Sequence, residues 1–112
     1  MRFYGGLKER KKTMTITKNQ DGAKLTIAVS GRLDTTTAPQ LESEVKSSLD
    51  GITTLVLDLS DLEYISSAGL RVLLSAQKTM NEKGSMTVKG ASEIIMEIFE
   101  VTGFVDLLNI EQ

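Results

Sequence analysis

A chain of 112 residues with 40% hydrophobic and 25% charged residues fits one globular domain with a single core. It contains no cysteine and no histidine, which excludes disulfide frameworks, thiol catalysis, histidine-rich metal sites and Ser-His-Asp hydrolysis. No apolar run approaches 18 residues and no apolar segment follows the first charges, so neither a membrane-spanning helix nor a secretory signal is expected, and a cytoplasmic protein is.

The net charge of −2 hides an asymmetry. Residues 1–13 carry Arg2, Lys8, Arg10, Lys11 and Lys12 against Glu9 alone, a net of +4, whereas the rest carries 8 basic and 14 acidic residues, a net of −6. The acidic body argues against direct nucleic-acid binding. The basic extension reads as disordered, solvated charge or as upstream sequence ahead of a native start at Met14. Residues 14–112 are expected to form the domain.

In chain order, residues 14–18 alternate apolar and polar and predict a short strand. Asn19, Gln20, Asp21 and Gly22 predict a turn, with Asp-Gly the hairpin signal. Residues 23–30 predict the second strand of an antiparallel hairpin, with Leu25, Ile27 and Val29 on one face and Gly31 at its end. After a threonine-rich loop, Thr37 and Gln40 are spaced as a capping box and Pro39 falls in the first helical turn. The helix carries Leu41, Val45 and Leu49 on one stripe and closes at Asp50-Gly51.

Residues 53–59 read as a central strand buried on both faces. Residues 62–65 cross as a loop to two serines, with Asp61 expected to build the preceding turn. Residues 68–83 predict a helix ended by Gly84, with Ser67 in the N-cap position. A short strand over 86–89 and a helix capped by Ser92 follow. That helix should bury Ile94, Ile95, Ile98 and Val101 or Phe99, and end at Gly103. Residues 104–110 read as a short strand or a packed tail. Strands alternating with helices predict an α/β domain with βαβ units. Its small mixed sheet would have about four to five strands, with about three to four helices mainly on one face.

The joint at Ser66-Ser67 stands at the carboxyl end of a strand and the start of a helix, where α/β proteins tend to bind. Taken alone, a serine there is a cap. Asp58 and Asp61 lack the further ligands a metal site needs. Met80, Met86 and Met96 fall at core spacing. Gly69 suggests a close backbone approach at the helix start.

The run Tyr64-Ile65-Ser66-Ser67-Ala68-Gly69-Leu70, preceded by Leu55-Val56-Leu57-Asp58-Leu59 and Asp61-Leu62, resembles the signature of the STAS family. It is similar more narrowly to bacterial anti-sigma factor antagonists. Upstream, Gly31-Arg32-Leu33-Asp34 with Thr36-Thr37-Ala38 resembles the family's second marker, and the resemblance spans residues 14–110. It implies the mixed α/β fold already expected.

The resemblance also implies a non-enzymatic regulator without cofactor or metal. Such a protein, unphosphorylated, binds an anti-sigma factor serine kinase and frees the sigma factor. The kinase would phosphorylate Ser67, and a PP2C-type phosphatase would reverse the modification. Ser66 replaces the family's usual acid and Ala68 its second serine, so Ser66 is a rival acceptor. The partner is expected to cover Asp34, Thr35, Thr36, Ser66, Ser67, Ala68, Gly69 and Arg71. Asp34 reads equally as a kinase contact and as an Asx-type organiser of its own loop.

The alternative within the family is a STAS subunit docking on the ATPase of an ABC-type lipid-transport complex without a phosphoryl switch. A nucleotide-binding domain is a third reading, but no Gly-x-x-x-x-Gly-Lys loop is present. Monomer and weak dimer both remain open.

Overall fold

The computed structural model describes residues 14–111. The basic extension, 1–13, lies outside the described residues. Six strands form one mixed sheet. β1 (Met14–Asp21) and β2 (Lys24–Leu33) make the antiparallel hairpin. β3 (Thr54–Asp58), β5 (Ser85–Lys89) and β6 (Ile110–Glu111) extend it in parallel, in the order β1-β2-β3-β5-β6. β4 (Leu62–Ile65) pairs in parallel with the last residues of β2. The helices are α1 (Ala38–Ser48), α2 (Ser67–Lys83) and α3 (Glu93–Thr102), with a 3-10 turn at Phe104–Asp106.

The core lies between one sheet face and the helices. Alternation along β2 turns Leu25, Ile27 and Val29 inward beside Leu55 and Leu57 of β3 and Met86 and Val88 of β5. Leu41 and Val45 of α1 and Leu70, Leu73, Ala76 and Met80 of α2 are buried in the same cluster. The opposite sheet face stays open, with Thr26, Ala28, Ser30, Val56 and Thr87 only half-buried. β3 is therefore buried on one face rather than two, and its apolar run overstated its burial because Val56 sits among small residues on the open side.

Several local expectations give way to tertiary pairing. The hairpin loop is Gly22-Ala23, since Asp21 pairs with Lys24, and Gly22 takes a positive φ of 62°. Gly31 does not end β2. The strand bulges there and runs on to Leu33, because Arg32 and Leu33 find new partners in Tyr64 and Ile65. Residues 62–65 are for that reason a strand, not a loop.

The turn before β4 is built by Asp58, whose carboxylate accepts bonds from the Ser60 hydroxyl and amide. The Ser60 hydroxyl, then its amide, and the nearby Lys89 hold the Asp58 pKa below the usual carboxylate value. Asp61 contributes its carbonyl to the Gly31 amide instead.

On α3, Ile95 and Phe99 are buried and Ile98 is half-buried, but Ile94 is 61% and Val101 78% exposed. The helix presents one narrow stripe to the sheet, and both residues fall outside it. Residues 104–110 combine both expected forms, a 3-10 turn and then the entry to β6. Asn109 ties this tail down: its amide donates to Gln77 Oε1 at 3.3 Å and its side chain to Met86 O at 3.3 Å.

Gly84 ends α2 with its amide bonded to Met80 O at 2.7 Å. A Cβ there would stand 1.9 Å from Thr53 O, and the neighbouring Ser85 amide bonds that same carbonyl at 2.9 Å. Gly84→Ala must displace backbone, so it should lower stability by about 2 kcal/mol. A urea midpoint equal to that of the unaltered protein would contradict this packing.

Candidate partner-binding site

Parallel strands carry their carboxyl ends to the same side, and here β2 and β4 end side by side. Arg32 is paired with Tyr64 and Leu33 with Ile65. The chain leaves β2 into the loop 34–37 and leaves β4 directly into α2, so the two sequence motifs meet although α1 and β3 separate them in the chain. The Ser66 amide donates to Leu33 O at 2.9 Å and locks the second exit to the first. Gly69 closes the joint. It is buried, and a Cβ on it would lie 2.7 Å from Leu33 Cγ and 2.8 Å from Ile65 Cγ1. Gly69 thus sets how closely α2 approaches the strands and offers no surface of its own.

The two serines have different jobs. Ser66, not Ser67, is the N-cap: its backbone is extended, and its hydroxyl accepts from the Gly69 amide at 3.4 Å. The cap falls one residue earlier than expected because β4 runs to Ile65 and leaves only Ser66 between strand and helix. Ser67 is the first helical residue and is exposed. Among the described residues, the Ser67 and Ala68 amides donate to no protein group, as expected for the first turn of a helix.

Asp34 organises its own loop. Its Oδ1 accepts from the Thr36 hydroxyl at 2.8 Å, the Thr36 amide at 3.0 Å and the Thr37 amide at 3.1 Å. The Thr36 hydroxyl does most to hold the carboxyl below its usual pKa. Partial desolvation opposes this, and the two amides reinforce it. Thr37 does not form the expected capping box. Its side chain makes no cap bond to α1; the hydroxyl donates to Arg32 O and accepts from the Asp34 amide, both at 2.8 Å. The competing interaction that won is this short link back to β2. Thr35 and Thr36 are left exposed on the surface of the loop.

Two residues gain a place at the site through strand pairing. The Arg32 guanidinium lies over the Tyr64 ring at 4.3 Å and its Nε is 3.7 Å from Asp34 Oδ2. Arg32 and Tyr64 are far apart in sequence and no spacing rule joins them; only the register of β2 with β4 does. On the helix side, Arg71 and Ala68 line a shallow groove between α1 and α2, together with Thr35, Pro39 and Glu42. Among the described residues no group of three or more Asp or Glu could hold a metal ion, and no helix is long and apolar enough to cross a membrane.

Two outcomes check this geometry by urea denaturation. Ser66→Ala should cost about 0.5–1 kcal/mol through loss of the cap, whereas Ser67→Ala should change stability by less than about 0.5 kcal/mol; the reverse order would reassign the cap. Asp34 titrates lower folded than unfolded, so its contribution is full above about pH 4 and is lost as pH falls through the folded value. Asp34→Asn should therefore flatten the fall in stability between about pH 5 and 2, and unchanged steepness would contradict the hydrogen bonding described.

Comparison with known proteins agrees with this architecture. Residues 16–109 match the family described as Mlab, STAS domain. The putative anti-sigma factor antagonist BtrV of Bordetella bronchiseptica is 34% identical over 96 residues, covering 84% of this chain and 83% of that protein. The crystal structure of an anti-sigma factor antagonist from Mycobacterium paratuberculosis superposes with a TM-score of 0.79 at 24% identity, covering 88% of this chain and 85% of that one. The phosphorylated form of the Bacillus cell fate determinant SpoIIAA shares the fold with a TM-score of 0.69 at 15% identity, covering 88% of this chain and 92% of that one. With the family matched over nearly all the described residues and a curated relative aligned along most of both chains, the protein belongs to the STAS domain family, of the anti-sigma factor antagonist type.

Proposed function

We propose that this protein acts in the cytoplasm as an anti-sigma factor antagonist switched by phosphorylation of Ser67. The observation that carries the reading is the division of labour at the α2 start. Ser66 supplies the cap, which leaves the Ser67 hydroxyl exposed and free to be modified without loss of the helix. Unmodified, the exposed Ser67 and Arg71 of α2 and the loop 34–37 offer a small surface on which an anti-sigma factor serine kinase can dock. Thr35, Thr36, Ser67 and Arg71 would provide its exposed contacts.

In the modification, the kinase passes the γ-phosphoryl of ATP to Ser67 Oγ; the hydroxyl proton leaves to a kinase base and ADP departs. The product carries about −1.5 to −2 added charge at pH 7. Open helix amides favour an anion at that end, so the fold tolerates the phosphate. A docked partner does not, because an unpaired buried charge costs several kcal/mol. A PP2C-type phosphatase would reset the switch. The protein is then a substrate and a binder rather than an enzyme.

A second reading is favoured by Ser66 standing where antagonists usually carry an acid. In that reading the same surface docks constitutively on the ATPase of a lipid-transport complex. The two separate when the purified protein is mixed with the host's anti-sigma kinases and ATP and the phosphosite is mapped. Phosphate on Ser67, absent from Ser67→Ala and weakening the kinase complex at least tenfold (about 1.4 kcal/mol), is the expected result. Absence of phosphate from both serines across those kinases would overturn the switch in favour of the docking subunit.

A further inference from the structure

Ser67 and Arg71 occupy positions i and i+4 of α2, and both are exposed. That spacing puts their Cβ atoms about 5–6 Å apart on one helix face, with the acidic position N-terminal to the basic one once Ser67 is phosphorylated, the favourable order along a helix. Arg71 makes no ion pair among the described residues. Glu42, which lines the same groove from α1, pairs with Lys46 at 3.4 Å, and Asp34, in the neighbouring loop, is held by Thr36 and Arg32. Two free amides, of Ser67 and Ala68, lie at the same end of the helix.

We propose that Arg71 is the on-chain partner of the Ser67 phosphate, so that modification withdraws this cation from the docking surface as it adds the anion. The inference rests on the phosphorylation reading for its biological use. Its chemistry rests on the placement of Arg71 alone. A guanidinium offers a planar fork of donors that matches two phosphate oxygens, which a solvated lysine does not reproduce. In the unmodified protein Arg71 stays available to a carboxylate on the partner. In the modified one it turns one helical step back onto its own chain. Phosphorylation then acts twice on the same interface, through the charge it brings and through the arginine it takes away.

The test does not need the kinase. Phosphoserine is placed at position 67 of the full chain during translation, and the 31P shift is titrated from about pH 4 to 9 at low salt. The second phosphate ionisation should lie about half a pH unit or more lower in the unaltered chain than in Arg71→Ala and Arg71→Gln. Arg71→Lys should recover part of the difference, and about 0.5 M salt should shrink it. Phosphoserine at position 66, off the i, i+4 register, should titrate alike with and without Arg71. Circular dichroism checks that each chain is folded, and two neutral variants guard against one that is not. Equal ionisation at position 67 in the presence and absence of Arg71 would overturn the proposal. Should phosphosite mapping find Ser67 unmodified, the functional reading fails while this titration still decides whether the pair forms.

Discussion

The site depends on the short parallel pairing between the end of β2 and β4. Without it, the loop 34–37 and the start of α2 would be unrelated surface features. With it, the Ser66 amide is bonded to Leu33 O, Leu33 and Ile65 lie next to each other in the core, and Gly69 brings α2 down onto both. A Cβ on Gly69 would meet two core side-chain carbons, of Leu33 and Ile65, below 3.0 Å. The separation of helix and strands is therefore set by the absence of a Cβ. That explains a glycine in the first turn of a helix, where it costs about 1 kcal/mol relative to alanine.

Rigidity on one side and open groups on the other characterise the surface that results. Asp34 spends its acceptor capacity on its own loop, Thr37 ties that loop back to Arg32 O, and Arg32 stacks on Tyr64. These contacts hold the backbone and leave the Thr35, Thr36, Ser67 and Arg71 side chains outward. A surface ordered before binding loses less conformational freedom when a partner docks. One hydroxyl at a helix N-terminus can then change the local charge without a change of fold, which is what the proposed switch requires. Asp34 is shown as the organiser of its own loop; a contact between it and a kinase belongs to the proposed docking.

The elements with strong local signals were legible from residues alone. The alternation of Leu25, Ile27 and Val29 marked the inner face of β2, and Leu41 and Val45 the inner face of α1. Ser92 and Gly103 bracketed α3 as cap and stop. The departures have separate causes. β4 has only four residues and no alternation, and it exists because the bulged end of β2 offers it a partner. Once it exists, the cap moves from Ser67 to Ser66. Thr37 kept the N-cap position of α1, but its hydroxyl accepts from the Asp34 amide and donates to Arg32 O instead of capping the helix. Ile94 and Val101 carried the right residue type but the wrong angular position. For β4 and the cap a contact from outside the local window outweighed propensity, whereas Thr37 was claimed by neighbours three and five residues back.

By itself, the sequence determined the class of fold and the mixed sheet with a leading hairpin. It did so because periodicity and caps act over a few residues and leave their mark there. It also removed thiol and imidazole chemistry, since those side chains are absent. Tertiary structure alone decided that the motifs share one surface, which serine caps and which is free, and that Arg32 and Tyr64 join the site. Those outcomes depend on the register between two strands separated by a helix and another strand, and register is fixed by long-range backbone bonds and core burial that no local window contains.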